Sequence, residues 1–225
     1  MLLIKAVVCD VDGTITDARR MIQPLGMNAL RSLQEKGIIV MIASGNVLPV
    51  VFGLANFIGI KGPLIAENGG IVAYKEQIYQ LQSIEEPLKA YAYLKEKMPE
   101  AARLFTDHWR ETEVGLKRSL DLEKAKEILK DWPIEIEATG FAIHLMEKGH
   151  SKLNGVKKSC ELIGVDVQDV AAFGDSDNDV KMLSGVGYGI AVGNASPAAK
   201  QAAKQVTNGP HSQGVVEGLK LLHLL

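Results

Sequence analysis

The sequence predicts an α/β protein in which a smaller α+β module interrupts a parallel-sheet core. At the start of the chain, short apolar runs alternate with stretches of helical period. Residues 81–150 are richer in charge and break this rhythm, and the alternation returns from residue 151 onward. Alternating strands and helices favour a parallel sheet, whereas helices on an antiparallel sheet are typical of an α+β module. The expected architecture is therefore a Rossmann-like core with one inserted module.

The first element is an apolar run over residues 4–9 that leads into Asp10-Val11-Asp12-Gly13-Thr14. A run this short before a glycine turn predicts a buried strand that carries polar residues at its C-terminal end. In open parallel sheets, ligands bind at the edge formed by these strand ends. If strand geometry continued, Asp10 and Asp12 would share one face. Their repulsion would then require a cation such as Mg²⁺ or a shared proton. An ordinary strand-to-helix turn is the alternative.

Two helices and three strands are predicted next. Helical apolar spacing, a proline in a first turn and a closing glycine indicate the first helix, and the glycine turn at residues 67–70 indicates a hairpin. The helices are predicted at 24–36 and 48–58, and the strands at 38–43, 63–66 and 71–74.

The tripeptide Ser44-Gly45-Asn46 stands between the second predicted strand and the helix that follows it. A hydroxyl group and free amides at this position form an anion site. A simple helix N-cap is the alternative interpretation.

Residues 81–150, which we call the insert, are predicted to form two helices beside a small antiparallel sheet. Asp121 is placed to cap the second of these helices. The helices are predicted at 85–98 and 121–130, and the strands at 104–110, 113–117, 134–137 and 141–146. The predicted core then comprises residues 1–80 and 151–225.

The returning core pattern carries two further chemical features. Lys152 lies in the first turn of a helix predicted at 151–163, where a basic residue is disfavoured unless an anion or carboxylates compensate it. A solvated surface lysine is the alternative interpretation. A strand at 170–173 leads into Gly174-Asp175-Ser176-Asp177-Asn178-Asp179, the densest acidic cluster of the chain. An EF-hand loop is excluded, because its glycine and its final glutamate would fall on Val180 and Val186. Strands at 188–192 and 205–207 and helices from 196 and at 213–222 complete the prediction.

Composition narrows the class of partner. A net charge of −2 and a pI near 6.2 give no bulk attraction to nucleic acid or to an anionic membrane. The uncharged stretch 37–60 is broken by polar residues and proline, so we predict no membrane span there, and no basic region precedes a signal-like segment. The chain has two cysteines, which suits a reducing compartment, so we expect a cytoplasmic protein.

Four groups at predicted strand and helix ends resemble, in order and spacing, the motifs of the haloacid dehalogenase superfamily of phosphatases. Three asparagine-containing turns, at 44–46, 67–69 and 193–195, further resemble its Cof-type branch, which carries an α+β cap at the position of the insert. The four groups are Asp10 with Asp12, Ser44, Lys152, and Asp175 with Asp179.

The resemblance implies a role for each of these residues. Asp10 would be the nucleophile that accepts the phosphoryl group. Asp12 would protonate the leaving alcohol and then activate the hydrolytic water. Ser44 and Lys152 would bind the transferring phosphate.

The resemblance also implies a Mg²⁺ site. Asp10, Asp175 and Asp179 would hold the ion, directly or through water, and Asp12 would contribute its backbone carbonyl. Asn178 would orient the neighbouring carboxylates or the substrate. Mg²⁺ and Lys152 would lower the pKa of Asp10 and offset the repulsion between carboxylate and phosphate.

Two segments of the insert, 106–111 and 140–146, resemble the caps of archaeal phosphoglycolate phosphatases, which implies 2-phosphoglycolate as the substrate. A substrate carboxylate requires a cationic partner, and Arg110 and His144 are the candidates. A surface ion pair with Glu111 or Glu113 is the alternative for Arg110, and a hydrogen-bonded sheet residue is the alternative for His144.

Other functions fit parts of the pattern. A sugar-phosphate phosphatase of broad specificity, or a phosphomutase, would use the same fold and small phosphorylated metabolites. A signalling receiver is disfavoured, because its acceptor aspartate would follow the third strand and no large insert is expected. A non-catalytic binding protein is disfavoured because every member of the constellation is present. A homodimer is left open.

Overall fold

The computed structural model describes residues 3–225 and contains eleven strands in two sheets. The strands are β1 (Ala6–Asp10), β2 (Ile39–Ala43), β3 (Leu64–Ala66), β4 (Ile71–Tyr74), β5 (Gln77–Gln80), β6 (Glu113–Lys117), β7 (Ile134–Ala138), β8 (Ala142–Glu147), β9 (Val170–Gly174), β10 (Tyr188–Ala191) and β11 (Gln205–Val206). The α-helices are α1 (Pro24–Glu35), α2 (Leu48–Ile58), α3 (Glu85–Lys97), α4 (Leu122–Ile128), α5 (Lys152–Ile163), α6 (Val180–Gly185), α7 (Pro197–Ala202) and α8 (His211–Leu221).

The large sheet has the strand order β11-β10-β9-β1-β2-β3-β4-β5, and its strands from β11 to β3 are parallel. The strands β4 and β5 extend it as antiparallel hairpins. In the central register, Asp10 pairs with Ala43 on β2, and Cys9 pairs with Phe173 on β9. The residues that follow these three strands therefore meet at one edge of the sheet. The predicted α/β class is confirmed.

The sheet is buried on both faces, as expected for parallel strands with near-continuous apolar sequence. Alternate residues of β1 point to opposite sides, so that Val7 packs with α1, α2 and α8 and Val8 packs with α5, α6 and α7. Leu33 of α1 and Val156 of α5 are fully buried members of the two layers.

The insert contains its own sheet, with the antiparallel strand order β6-β8-β7. A third apolar cluster, which includes Leu94 of α3, Ala125 of α4 and Leu145 of β8, fills the space between this sheet and its helices. The carboxylate of Asp121 accepts a hydrogen bond from the backbone N–H of Lys124 at 3.1 Å, which makes it the N-cap of α4 as predicted.

One predicted strand is wrong. Residues 104–110 form a 3₁₀ helix over Phe105–Trp109 instead of extended structure. The buried carboxylate of Asp107 accepts a hydrogen bond from the backbone N–H of Gly115 at 2.5 Å and pairs with Arg103, which requires the chain to turn. The aromatic side chains of Phe105 and Trp109 are exposed.

Two other features differ from the sequence pattern. The strand β5 was not predicted, because its sequence Gln-Ile-Tyr-Gln contains few apolar residues. The uncharged stretch 37–60 is divided between β2 and α2, and no helix within residues 3–225 is long and apolar enough to cross a membrane.

The packing of α5 on β3 predicts the effect of Gly155→Ala. A Cβ at Gly155 would lie 2.4 Å from the Cγ2 atom of Ile65, so we expect the free energy of unfolding to fall by about 1–3 kcal/mol. Gly53→Ala, in the interior of α2, is the matched control, because no atom lies within 4 Å of its added Cβ. That control should stabilise the protein by about 0.4–1 kcal/mol. Urea denaturation measures both changes, and equal effects would contradict the packing described here.

Candidate active site

A buried lysine joins two carboxylates at the edge where β1 and β9 end. The Nζ atom of Lys152 lies 2.6 Å from Oδ1 of Asp10 and 2.6 Å from Oδ1 of Asp179. Burial alone would lower the pKa of Lys152. The charges of Asp10 and Asp179 raise this pKa by more than burial lowers it, so the amine stays protonated. The unfavourable position of a lysine at the start of α5 is thus compensated by carboxylates.

Three carboxylates converge beside this lysine. Oxygen atoms of Asp10, Asp175 and Asp179 all lie within 4.8 Å of one another. The second oxygen of Asp179 accepts hydrogen bonds from the backbone N–H groups of Asp175 and Ser176, at 2.9 and 3.1 Å, and this fixes the acidic loop after β9. Gly13 has φ +88°, and a Cβ there would lie 2.2 Å from the Asp175 carboxylate, so the turn after β1 requires glycine.

The cluster has the donor set of a site for a hard divalent cation. Three carboxylates offer oxygen ligands only, as Mg²⁺ and Ca²⁺ prefer. The Oδ2 atom of Asp10 is buried and has no hydrogen-bond partner among the described residues. A buried carboxylate oxygen without a donor is unfavourable unless another group satisfies it. The residues therefore fit a bound metal ion.

Burial and mutual repulsion raise the pKa values of two of these carboxylates, Asp10 and Asp175. Burial raises the pKa of Asp10 well above its usual range, Lys152 opposes this, and the charges of Asp179 and Asp175 add to it. Burial, followed by the charge of Asp179, raises the pKa of Asp175 to about 7. Lys152 thus lowers the pKa of Asp10, as the sequence suggested, but burial outweighs it.

Asp12 is not a member of the cluster of three carboxylates, although it lines the same cavity as Asp10. The strand β1 ends at Asp10, and the chain then turns. The Oδ1 atom of Asp12 accepts a hydrogen bond from Nε of Arg20 at 2.6 Å, and its Oδ2 atom accepts one from Nδ2 of Asn46 at 2.8 Å. A contact between its backbone carbonyl and a metal ion stays a prediction.

Ser44 is buried directly after β2, and it does not cap α2, whose N-cap is Val47. Its Oγ atom accepts hydrogen bonds from the backbone N–H and from the side-chain amide of Asn46, both at 3.1 Å. Asn46 thereby links Ser44 to Asp12. The simple N-cap interpretation of this tripeptide is excluded.

Arg110 and His144, the predicted carboxylate ligands, are buried in the insert instead. Arg110 pairs with Glu113 and donates a hydrogen bond to the carbonyl of Gly45 at 3.0 Å. Nδ1 of His144 lies 2.9 Å from Oε1 of Glu113, and its Nε2 lies 3.2 Å from Oγ1 of Thr139. Neither residue lines the cavity beside Asp10. The ion pair between Arg110 and Glu113, the alternative interpretation of Arg110, is present, but it is buried and not at the surface. The alternative interpretation of His144, a hydrogen-bonded sheet residue, is correct.

A chain of amides connects the insert to the acidic loop. The side-chain amide of Asn68 donates a hydrogen bond to Glu113 at 2.9 Å, and its oxygen accepts one from Asn178 at 2.9 Å. Asn178 in turn accepts a hydrogen bond from the Ser176 hydroxyl at 2.6 Å. Asn178 therefore orients the loop that carries Asp175 and Asp179, one of the two roles expected for it.

A cavity of about 270 Å³ opens onto these groups. Asp10, Asp12 and Asp175 line it from the core, and residues 139–141 line it from the insert. Ser44 lines a neighbouring cavity, which Asp12 lines as well. Lys152 is buried beneath the surface of the site. The sequence interpretation missed the lining residues Arg20, Asn194 and His211, of which only Asn194 lay in a motif that had been noticed.

The acidic cluster and the buried lysine lie at the carboxyl edge of a Rossmann-like sheet, which is where ligands bind in open parallel sheets. The model of the haloacid dehalogenase-like hydrolases matches residues 7–109 and 111–219. The chain therefore belongs to this family, and it is a phosphatase. Phosphatases of this family generally use a metal ion, and the cluster of three aspartates lies where one would be bound.

Similar proteins cover the whole fold. The phosphoglycolate phosphatase of Methanothermobacter thermautotrophicus is 34% identical over 96% of this chain and 97% of its own length. That of Methanopyrus kandleri is 37% identical over 96% of each chain. A solved structure from Thermoplasma acidophilum has a TM-score of 0.90 and 29% identity over 99% of this chain and 100% of its own. A subclass IIB sugar phosphatase shares the fold, with a TM-score of 0.83 and 22% identity over 98% of this chain and 100% of its own.

The raised pKa of Asp175 predicts competition between protons and the metal ion. Below about pH 7 the metal-free protein holds a proton that the ion must displace, so the affinity for Mg²⁺ should fall by up to about tenfold per pH unit. Isothermal titration calorimetry in buffers of different ionisation enthalpy measures both the affinity and the protons released. An affinity that stays constant between pH 5.5 and 7.5 would contradict this description of the cluster.

Proposed function

We propose that this phosphatase hydrolyses 2-phosphoglycolate to glycolate and phosphate through an aspartyl-phosphate on Asp10, with Mg²⁺ as the metal ion. The observation that carries the proposal is the state of the Asp10 carboxylate. One of its oxygens is held by Lys152, and the other, beside a small cavity, has no hydrogen-bond partner in the described part of the chain. A fixed carboxylate with one unengaged oxygen is suited to attack phosphorus.

In the first step, the free oxygen of Asp10 attacks the phosphorus atom while the bond between phosphorus and the glycolate oxygen breaks. Asp12 donates a proton to that oxygen, so that glycolate leaves as an alcohol. Lys152 stays beside Asp10 and offsets its repulsion from the incoming phosphate. Ser44, which follows the strand next to Asp10, would bind the phosphate oxygens.

In the second step, water attacks the phosphorus atom of the aspartyl-phosphate. Asp12, now ionised, accepts a proton from that water, and the bond between phosphorus and Asp10 breaks to release phosphate. Asn46 keeps a hydrogen bond to one Asp12 oxygen at 2.8 Å, which holds the carboxylate on the cavity wall during both transfers.

Asp10, Asp175 and Asp179 would hold the Mg²⁺ ion, with the backbone carbonyl of Asp12 as a further ligand. When bound, the ion supplies charge that neutralises the phosphate and keeps Asp10 ionised. Thr14 donates a hydrogen bond to Asp175 at 3.3 Å and so steadies one of the ligands.

We further propose that residues 1–80 and 151–225 act as the catalytic core and that the insert, residues 81–150, acts as a cap. The buried carboxylate of Glu67 supports this, because it accepts hydrogen bonds from the Thr112 backbone N–H at 2.9 Å and hydroxyl at 2.8 Å. A cap fixed in this way would keep water from the cavity until glycolate leaves. A cytoplasmic location is proposed from the two cysteines, both buried and without a disulfide.

The names of the archaeal relatives support 2-phosphoglycolate as the substrate, since the two described above are phosphoglycolate phosphatases. The cavity of about 270 Å³ beside Asp10 has room for a small phosphorylated metabolite.

Phosphate release tests the proposal. Wild type should turn over 2-phosphoglycolate faster than glucose 6-phosphate, and a chelator should abolish the activity. Asp10→Asn should lower kcat by at least about 10³-fold, because an amide is no nucleophile. Asp121→Asn is the matched control, since asparagine also caps a helix and Asp121 lies at the start of α4.

Each alternative has its own outcome. Faster turnover of glucose 6-phosphate would replace the substrate and retain the mechanism. A stable phosphorylated protein that transfers its phosphate to a sugar would indicate a mutase. Full activity of Asp10→Asn would contradict the assignment of the nucleophile.

A further inference from the structure

Arg20 lines the cavity, and four of its five N–H donors are unused within residues 3–225. Its Nε atom donates to Asp12 at 2.6 Å, whereas its two terminal nitrogens have no hydrogen-bond partner within residues 3–225. The side chain is 51% exposed, and it lines the cavity. A guanidinium group with free terminal nitrogens can bind a carboxylate through two parallel hydrogen bonds.

The charge of the cavity makes Arg20 distinctive. Four aspartates line the wall, and Arg20 is the one lysine or arginine among the described residues that does so. Lys152 is already held between Asp10 and Asp179. A substrate that carries a second anionic group besides its phosphate therefore meets a single cation that is free to receive it.

The insert fixes the position of this cation. The Cζ atom of Arg20 lies 4.4 Å from the centre of the Phe141 ring, in the turn before β8. A guanidinium group over an aromatic face is held by cation–π attraction. Arg20 thus bridges the core and the insert in the wall of the cavity.

The ion pair between Arg20 and Asp12 restrains Asp12, the proposed acid–base residue. Both carboxylate oxygens of Asp12 are engaged, one by Arg20 and the other by Asn46. Proton transfer to the leaving oxygen is easier from an Asp12 oxygen that no longer pairs with a cation. The contact with the exposed Arg20 is the one that a substrate can reach.

We propose that Arg20 is the specificity-determining residue that binds the carboxylate of the substrate, and that this binding draws Arg20 away from Asp12. A substrate with a carboxylate then frees the Asp12 oxygen that Arg20 holds, whereas a neutral analogue leaves Asp12 paired with Arg20. This inference rests on the proposed function, and it assigns to Arg20 the role that the sequence suggested for Arg110 and His144.

A pair of substrates separates recognition of the carboxylate from the phosphoryl transfer. The substrates are 2-phosphoglycolate and its carboxamide, 2-phosphoglycolamide, which has the same size and no second charge. Arg20→Gln should lower kcat/KM for 2-phosphoglycolate by about 10–100-fold, as expected for a lost charge-assisted hydrogen bond. Its kcat/KM for the carboxamide should stay within about threefold of wild type or rise, because Asp12 is no longer paired with Arg20.

Two further variants complete the experiment. Arg19→Gln is the matched control, since the Arg19 side chain is exposed, does not line the cavity beside Asp10, and has one ion pair within residues 3–225, with Asp17 at 3.8 Å. Its kcat/KM values should equal those of wild type. Arg20→Lys keeps the charge without the planar pair of donors, so it should restore part of the preference for the carboxylate.

The outcomes separate this inference from the function on which it rests. If wild type prefers 2-phosphoglycolate and Arg20→Gln keeps that preference, the role of Arg20 is overturned and the function stands. An equal loss on both substrates would also overturn it, since Arg20 would then support the site without reading the charge. If wild type releases no phosphate from 2-phosphoglycolate, the proposed function fails and this inference fails with it.

Discussion

The ion pairs of Lys152 are the interaction on which the active site depends. A single buried amine, 1% exposed, joins the end of β1 to the loop after β9, and it does so from the first residue of α5. Three segments that are far apart in sequence are thus held at one point. A buried charge that loses its partner destabilises a protein by about 3–5 kcal/mol, so each member of the triad constrains the other two.

The positive charge of Lys152 does not neutralise the three carboxylates of the cluster by itself. Burial raises the pKa values of Asp10 and Asp175, and the excess negative charge of three carboxylates beside one amine adds to this effect. A divalent ion and the site are therefore complementary before any substrate enters. The remaining polar contacts serve this arrangement, because Asn178 orients the acidic loop and is itself held through Asn68 by the insert.

The fold and the core of the site could be predicted because local signals and global topology agree. Each polar motif directly follows a short apolar run, and in a parallel sheet the ends of such runs meet at one edge. Asp10, Ser44 and Asp175 are brought to that edge by the registers of β2 and β9 beside β1. Lys152 was found because a basic residue at the start of a helix requires compensation.

The errors arose where long-range contacts override local pattern. Residues 104–110 read as a strand, but burial of the Asp107 carboxylate turns the chain. Arg110 had the charge expected of a substrate ligand, yet Glu113, three residues further on, holds it inside the insert. Arg19 and Arg20 are equivalent in the sequence, and only the turn that brings Asp12 beside Arg20 distinguishes them.

A double-mutant cycle on Lys152 and Asp179 tests the central claim most directly. The free energy of unfolding is measured in chelator for wild type, Lys152→Met, Asp179→Asn and the double variant. Asparagine keeps an oxygen for the backbone N–H groups of Asp175 and Ser176, so the cycle isolates the charge pair. Removal of both charges should destabilise the protein by about 2 kcal/mol less than the sum of the single changes. Additive effects would contradict the claim that the buried pair holds the site together.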